Sequence, residues 1–345
     1  MVTRLDPSVA ALSGDTALRV LFIGGTGVIS AAAAERVVAV GHRLTILNRG
    51  SKTHRPATEG AEVLKADMRD AASVRAALGN RMFDVVVDFV AFTADHAAAD
   101  IELFTGRTGQ YVFISSASAY QKPPARLPIL ESTPLRNPFW QYSRDKIACE
   151  DLLVKTYREK GFPVTIIRPS HTYDRTSIAL TGGWTDIARM RARKPVVVHG
   201  DGTSLWTLTH ASDFAKALVG LFGLPQAIGD NFTITSDEYL PWNRIYEIFA
   251  EAAGAPAPQL VHIASDTIAA AAPDLGPSLL GDKSHSLVFD NSKVKALVPE
   301  FICTVPFAVG ARQILNWFDA NPDQQIVNEG LNSTFDRLIA MAGRQ

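Results

Sequence analysis

The stretch LRVLFIGGTGVISAAAAERVVAVGHRLTILNRG, residues 18–50, decides how the rest of the chain is read. Residues 20–23 are a short apolar run that reads as a buried strand, and Gly24, Gly25, Thr26 and Gly27 then make a glycine-rich turn. Residues 28–40 carry apolar side chains at helical spacing, and residues 44–47 read as a second strand. The pattern is strand, turn, helix, strand. Glycine is required because the turn is tight and a diphosphate must reach bare backbone, its charge facing the N–H groups at the helix N-terminus. A glycine-rich turn alone is a weak signal; the strand before it and the helix after it give it weight. The third glycine of the pattern, which lets helix and strand pack closely, is replaced by Ser30, whose hydroxymethyl group is small enough to fit. The competing reading is an ordinary strand-to-helix turn that binds nothing.

Composition narrows the surroundings. With 345 residues, 47% of them hydrophobic and 20% charged, the chain has ample material for a core, as one large or two interlocked domains. A net charge of -1 gives no global electrostatic reason to bind nucleic acid or an anionic membrane, so small molecules or a second subunit are the expected partners. Cys149 and Cys303 are too few for a disulfide framework or a structural zinc site, which fits a reducing cytoplasm, and no metal is expected. Residues 1–16 lack a long apolar core, and no segment approaches the ~20 apolar residues of a membrane span. They read as a loose tail before the first strand.

Roughly twenty residues beyond the glycine turn, where an adenosine ribose sits in such folds, stand Asn48, Arg49 and Gly50. An acidic side chain there would bond the ribose hydroxyls and repel a 2′-phosphate. Asn48 removes that repulsion and Arg49 offers a fork suited to phosphate or to stacking on adenine, so NADP(H) is favoured over NAD(H). Lys52, His54 and Arg55 add positive charge, or else form a solvated basic loop. After a strand at 62–65, Asp67 is placed to accept from the adenine amino group and Met68 to cover its face, with Asp70 a helix N-cap for 71–78. Residues 83–88 make another strand, and Phe89 onward should line the cofactor cleft.

A strand at 110–114 runs into Ser115-Ser116-Ala117-Ser118-Ala119-Tyr120, followed by a proline-rich excursion over 122–138. A helix then runs from 140 to about 159. Of the seven tyrosines only Tyr142 has a lysine four residues on, Lys146, which puts both side chains on one helical face. A sixth strand spans 163–168. Beyond it the signal thins: helices at 184–193, 213–222, 242–253, 292–297, 307–318 and 333–341, and strands at 196–198, 232–235 and 287–289. A serine at a strand end, a tyrosine on the next helix and a lysine one turn on form a proton-transfer group: the ammonium lowers the phenol's pKa from ~10 and the serine bonds the substrate oxygen.

The segments GGTGVIS (24–30), SSASAY (115–120), YSRDK (142–146), RPSHTYD (168–174) and GDGTSLWTLTHASDFA (200–215) together resemble the extended short-chain dehydrogenase/reductase superfamily, in its NAD(P)-dependent epimerase/dehydratase branch. The resemblance covers about residues 18–234. It implies Tyr142 as catalytic acid/base, Lys146 binding the nicotinamide ribose and tuning Tyr142, and Ser116 orienting the substrate oxygen, because Ser116 stands four residues before Tyr120, with Ser118 the alternative. Taken with the residue readings it gives a cofactor set of Gly24, Gly25, Thr26, Gly27, Val28, Ile29, Asn48, Arg49, Asp67, Met68, Phe89, Lys146 and Pro169, and substrate contacts from Ser118, His171 and Trp206. Relatives further imply a homodimer seam built from the helices at 95–104 and 142–159.

Three departures shape that expectation. Dehydratases of the branch place an Asp-Glu pair directly after the catalytic Ser/Thr, whereas Ala117 and Ser118 stand here, so oxidation, reduction or epimerisation is favoured. Epimerases carry an arginine shortly after the GDG turn to clamp a diphosphate. That place falls on Trp206, with Arg189, Arg191, Arg193 and Lys194 as substitutes or simply as cations at a helix C-terminus. Where relatives have Asn and Gly-Pro, this chain has His171-Thr172-Tyr173-Asp174, and His171 is a substrate contact, a proton shuttle or a packing residue. Trp184, Trp206 and Tyr173 offer stacking surface or are core.

The expected fold is therefore α/β: a Rossmann-type doubly wound parallel sheet over 18–175, partly rejoined by 196–235, with a smaller C-terminal substrate-binding lobe over 176–345. The expected function is hydride transfer at a hydroxyl/carbonyl carbon of a small molecule, a sugar or sugar derivative. The alternative is a non-catalytic nucleotide-sensing or RNA-binding relative, since Asn48-Arg49-Gly50 also resembles the chloroplast stem-loop-binding proteins, which tend to lose the tyrosine–lysine pair kept here.

Overall fold

The computed structural model describes residues 17–50 and 55–343. The tail at 1–16 and Lys52 and His54 of the basic loop lie outside the described residues. The first half of the chain alternates strand and helix: β1 (Arg19–Ile23), α1 (Val28–Ala39), β2 (Arg43–Asn48), β3 (Glu62–Lys65), α2 (Ala71–Leu78), β4 (Phe83–Asp88), α3 (Ala94–Phe104), β5 (Thr108–Ile114), α4 (Gln141–Lys160) and β6 (Val164–Pro169). Shorter pieces follow: β7 (His171–Tyr173), α5 (Trp184–Arg191), β8 (Val196–His199), β9 (Leu205–Trp206), β10 (Leu208–His210), α6 (Ala211–Gly220), β11 (Asn231–Ile234), β12 (Leu240–Pro241), α7 (Trp242–Ala252) and β13 (Leu260–Ile263). The chain closes with α8 (Ser265–Ala271), α9 (Gly276–Ser278), a π-helical turn (Leu279–Lys283), α10 (Ser292–Leu297), α11 (Phe307–Ala320) and α12 (Glu329–Ala342).

Seven parallel strands form the central sheet in the order β11-β6-β5-β4-β1-β2-β3. Because side chains alternate across a strand, a sheet covered on both faces needs apolar residues at consecutive positions. β1 shows this: Val20 and Phe22 pack with Ala33, Ala34 and Val37 of α1 and with Phe214 and Leu218 of α6. Leu21 and Ile23 face the other way, onto Val74 and Leu78 of α2, Phe104 of α3 and Cys149 and Leu153 of α4. The strand order reverses between β1 and β4, so the loops at their carboxyl ends part and open a crevice there.

The remaining elements build a lobe over the carboxyl ends of the strands. Its main core joins α5, α7 and α11 with Tyr173, Trp206 and Leu208, and a smaller one joins α8 and α12 with Val197 and Ile263. Within residues 196–235, α6 packs on the sheet and β11 pairs with β6, whereas β8 pairs with β13, β9 with β12 and β10 with β7. The expected strand at 287–289 is not formed. That segment threads between two loops, the Leu287 N–H donating to the Leu205 carbonyl (2.8 Å) and the Ile129 N–H to the Val288 carbonyl (2.8 Å), which yields one bridge and no ladder. β13, α8 and the π turn carry no signal in the sequence reading.

Candidate active site

The glycine turn sits at the carboxyl end of β1 in the conformation its sequence requires. Gly24 has φ +79°, and a Cβ there would meet Val90 Cγ1 at 2.6 Å. Gly25 serves packing instead: a Cβ would lie 2.7 Å from Ile46 Cγ2, so the turn rests directly on β2 and Gly25 does not face the hollow. Ser30, buried in α1, accepts the Gly27 N–H at 2.7 Å, so the residue replacing the third glycine takes one of the orphan donors at the helix start. The first turn of α1 carries no acidic residue, leaving its positive end open to an anion.

From this turn a cleft runs outward over β2 and β3 and inward toward α4, in three adjoining hollows that share walls. The outer hollow, about 510 Å³, is lined by Gly24, Thr26, Gly27, Asn48, Arg49, Asp67, Met68 and Phe89. Asn48 shapes the loop, its Oδ1 accepting the Gly50 N–H at 2.8 Å. Arg49 is exposed and lies 3.8 Å from the Asp67 carboxylate, a weak surface pair. Asp67 also accepts the Arg69 N–H, and Asp70 caps α2 by accepting from the Ala72 and Ser73 N–H groups. Arg55 is not a free positive charge, because it pairs with Asp174 at 2.9 Å.

The middle hollow, about 300 Å³, brings Val28, Ile29, Phe92, Ser116, Tyr142, Lys146 and Pro169 together. α4 begins at Gln141, so Tyr142 and Lys146 stand one turn apart on the face turned to β5. The Lys146 ammonium donates to the carbonyls of Ala91 (2.6 Å) and Ile114 (2.8 Å) and sits 4.8 Å from the ring centres of Phe92 and Phe113. Burial pulls its pKa down to about 8. The Tyr142 phenol is moved the other way from the expected direction: burial raises its pKa, opposed by a hydrogen bond with Ser116. Lys146, engaged with two backbone carbonyls, does not lower it.

Ser116 belongs to a small hydroxyl chain. The Ser143 hydroxyl donates to Ser118 Oγ at 2.7 Å, Ser118 Oγ lies 2.9 Å from Ser116 Oγ, and the Ser118 N–H also donates to Ser116 Oγ at 3.2 Å. Ser118 is buried, and the arrangement that leaves no buried proton unpaired has it donating to Ser116. Both lone pairs of Ser116 are then filled, and its own proton is the one that bonds the Tyr142 oxygen. Ser118, expected to touch substrate, lines the inner hollow and also bonds Ser116. Beneath them Glu150 of α4 pairs with Arg168 of β6 at 2.5 Å and accepts the Ser115 hydroxyl at 2.5 Å.

The inner hollow, about 340 Å³, is walled by Trp140, Tyr142, His171, Trp206, Leu287 and Phe289, with Asp282 and Lys283 at its side. Trp206 is 3% exposed, and its indole N–H donates to His171 Nδ1 at 3.2 Å. An indole only donates, so Nδ1 is unprotonated and the neutral ring carries its proton on Nε2. Burial, with Lys283 adding to it, pushes the His171 pKa down to about 3. The ring is therefore neutral near pH 7, which speaks against the proton shuttle among the three readings of this residue. Tyr173 and Trp184 are core, Trp184 stacked on Phe318 at 5.1 Å. Arg189 and Arg191 do not reach the cleft, being paired with Asp336 (2.8 Å) and Asp319 (2.7 Å) at the far end of α5.

The model of the NAD dependent epimerase/dehydratase family matches residues 20–234, well over half of the chain. The chain belongs to this family. Among curated relatives, the chloroplast stem-loop binding protein of 41 kDa b of Arabidopsis thaliana is 27% identical over 263 residues, 73% of this chain and 67% of that protein. A 2'-dehydrokanamycin reductase of Streptomyces kanamyceticus is 27% identical over 246 residues, 69% of this chain and 68% of that protein. Among solved structures, an epimerase of Methanothermobacter thermautotrophicus superposes with a TM-score of 0.74 at 17% identity, covering 90% of this chain and 94% of its own. UDP-glucose 4-epimerase of Bifidobacterium longum, in complex with NAD+ and UDP, gives 0.69 at 18% identity, covering 88% and 99%. At such identities the structures speak to the fold alone.

For a member of the epimerase/dehydratase family the cleft fits a dinucleotide: bare glycine backbone at one helix N-terminus, an outer hollow over β2 and β3, and a middle hollow ending at Tyr142. Among the described residues no group of three His, Cys, Asp or Glu is placed to hold a metal ion, and no helix is long and apolar enough to cross a membrane. The sequence reading missed Trp140, Ser143, Asp282 and Lys283. Ser143 directly follows Tyr142 and was within reach of local reasoning, whereas the π turn bearing Asp282 and Lys283 has no periodic signature.

Proposed function

We propose that the protein is a nicotinamide-dependent oxidoreductase or epimerase acting at a hydroxyl/carbonyl carbon of a small sugar or sugar derivative, with NADP(H) favoured over NAD(H). The observation that carries this reading is the meeting of the Tyr142 phenol and the Ser116 hydroxyl at the wall shared by the middle and inner hollows. The nicotinamide supplies the hydride acceptor or donor when bound. Tyr142 exchanges the proton of the reacting oxygen, Ser116 donates to that oxygen, its hydrogen bond to Tyr142 favouring the phenolate, and Lys146 would hold the nicotinamide ribose. His171 Nε2–H is a second donor toward the inner hollow. Family membership and relatives that include a reductase and 4-epimerases support redox chemistry on a sugar. Dehydration is disfavoured by Ala117 and Ser118 in place of an acidic pair.

Incubating the protein with NADPH or NADP+ and a panel of keto-sugars and sugars tests this. Stoichiometric consumption of cofactor identifies a reductase or dehydrogenase, and sugar interconversion without net consumption identifies an epimerase. No turnover together with a salt-sensitive gel shift of structured RNA would favour the non-catalytic reading instead. A homodimer through the outer faces of α3 and α4 is part of the proposal, checked by sedimentation.

A further inference from the structure

We propose that Lys283 selects the substrate by holding a single anionic substituent, a carboxylate or a phosphate, on the sugar-sized molecule in the inner hollow. The inference rests on the function proposed above and narrows its substrate class.

Two charged side chains line that hollow, Asp282 and Lys283. Asp282 is paired from beneath: the ammonium of Lys122, itself fully buried, lies 3.4 Å from Asp282 Oδ1, an ion pair without a hydrogen bond. Lys283 feels the same carboxylate at longer range, and among the described residues its ammonium has no ion pair or hydrogen bond of its own. Two ammonium groups therefore share one carboxylate, and the one facing the hollow is left uncompensated. A half-buried charge with no partner is partly stripped of water, a cost that an arriving anion would relieve.

Lys283 is also held in place. Its backbone carbonyl accepts from three donors of the lobe, His199 Nε2 (3.0 Å), Trp242 Nε1 (3.2 Å) and Ser204 Oγ (3.3 Å). Three donors on one carbonyl fix the backbone from which the side chain springs. The remaining polar side chains of the hollow are neutral, among them His171, Tyr142 and the hydroxyls of Ser116, Ser170, Thr172 and Thr207. No arginine lines it, and Trp206 stands where a diphosphate clamp was expected. One ammonium among aromatic walls matches one anionic group on a compact ring, and it repels an amino sugar.

The test measures binding at neutral pH, with NADP+ present, of four matched probes: glucuronate, glucose 6-phosphate, glucose and glucosamine. At least one anion is expected to bind about tenfold more tightly than glucose, with glucosamine weaker than glucose, and the better of the two anions tells carboxylate from phosphate. Lys283→Met should erase the preference and Lys283→Arg should keep it, with unchanged NADP+ affinity showing that both variants are folded. An anion preference that survives in Lys283→Met, or no preference in the wild type while NADP+ still binds, overturns the inference. Failure of the wild type to bind either NADP+ or NAD+ would instead sink the proposed function.

Discussion

The phenol of Tyr142 reaches the wall between two hollows because Trp140, 5.1 Å away, and Phe92, 6.4 Å away, flank its ring. Tyr142→Phe keeps that packing and removes only the exchangeable proton. Turnover should fall roughly 10²–10⁴-fold, as for loss of a general acid/base, with cofactor affinity unchanged by fluorescence titration. Lys146 gives a pH signature of its own. Its pKa is lowered by burial to about 8, below its ordinary value, so the folded protein carries a buried charge that costs stability near pH 7. As pH rises through about 8 the folded state sheds that proton before the unfolded chain does, and stability is gained. Urea titrations should therefore show wild type gaining on Lys146→Met between neutral pH and the ordinary lysine range, and a constant difference would contradict the assigned burial. Arg49 is exposed and weakly paired with Asp67, so Arg49→Ala should leave stability alone and weaken NADP(H) more than NAD(H). Equal losses would assign it to adenine stacking.

At the scale of elements, β5, α4 and β6 are joined under the site by Ser115, Glu150 and Arg168. Arg168 further donates to the Tyr120 hydroxyl (3.1 Å) and to Asn231 Oδ1 (2.9 Å), tying β11 and the loop after β5 to the same guanidinium. Removing one partner of a buried pair leaves the other charge unmatched, which costs about 3–5 kcal/mol. Glu150→Ala should lower the unfolding free energy by that amount in denaturant melts, far more than loss of the exposed Arg75–Glu102 pair. The elements themselves were mostly legible. β1, α1, β4 and α10 fall where apolar spacing puts them, because a strand buried on two faces and a helix buried on one leave periodic traces in the residues themselves. The two-residue strands β9 and β12 and the bridge at Ile129 and Phe289 leave none. Their pairing is decided by partners remote in sequence, and each is too short for a period to register.

Across the whole molecule the same distinction separates the halves of the site. Gly24, Gly27, Ser116, Tyr142 and Lys146 were readable because each stands at a strand end or helix start, where chemistry and local spacing coincide. Lys283 and Asp282 were not, since nothing near them in sequence announces a cavity; they matter only because residues 140, 171, 206 and 289 converge on them. His171 stood open in the sequence between substrate contact, proton shuttle and packing, because its partner, the Trp206 indole, is supplied by another strand. The route of the chain has one more result. It departs from the sheet at Pro169, builds part of the lobe, returns at Asn231 to lay down the outermost strand, and departs again at Ile234. Cutting the polypeptide after residue 175 would thus not free a self-sufficient nucleotide module. It would strip the border strand, bare the flank of β6, and leave an unzipped margin prone to stick to its own kind.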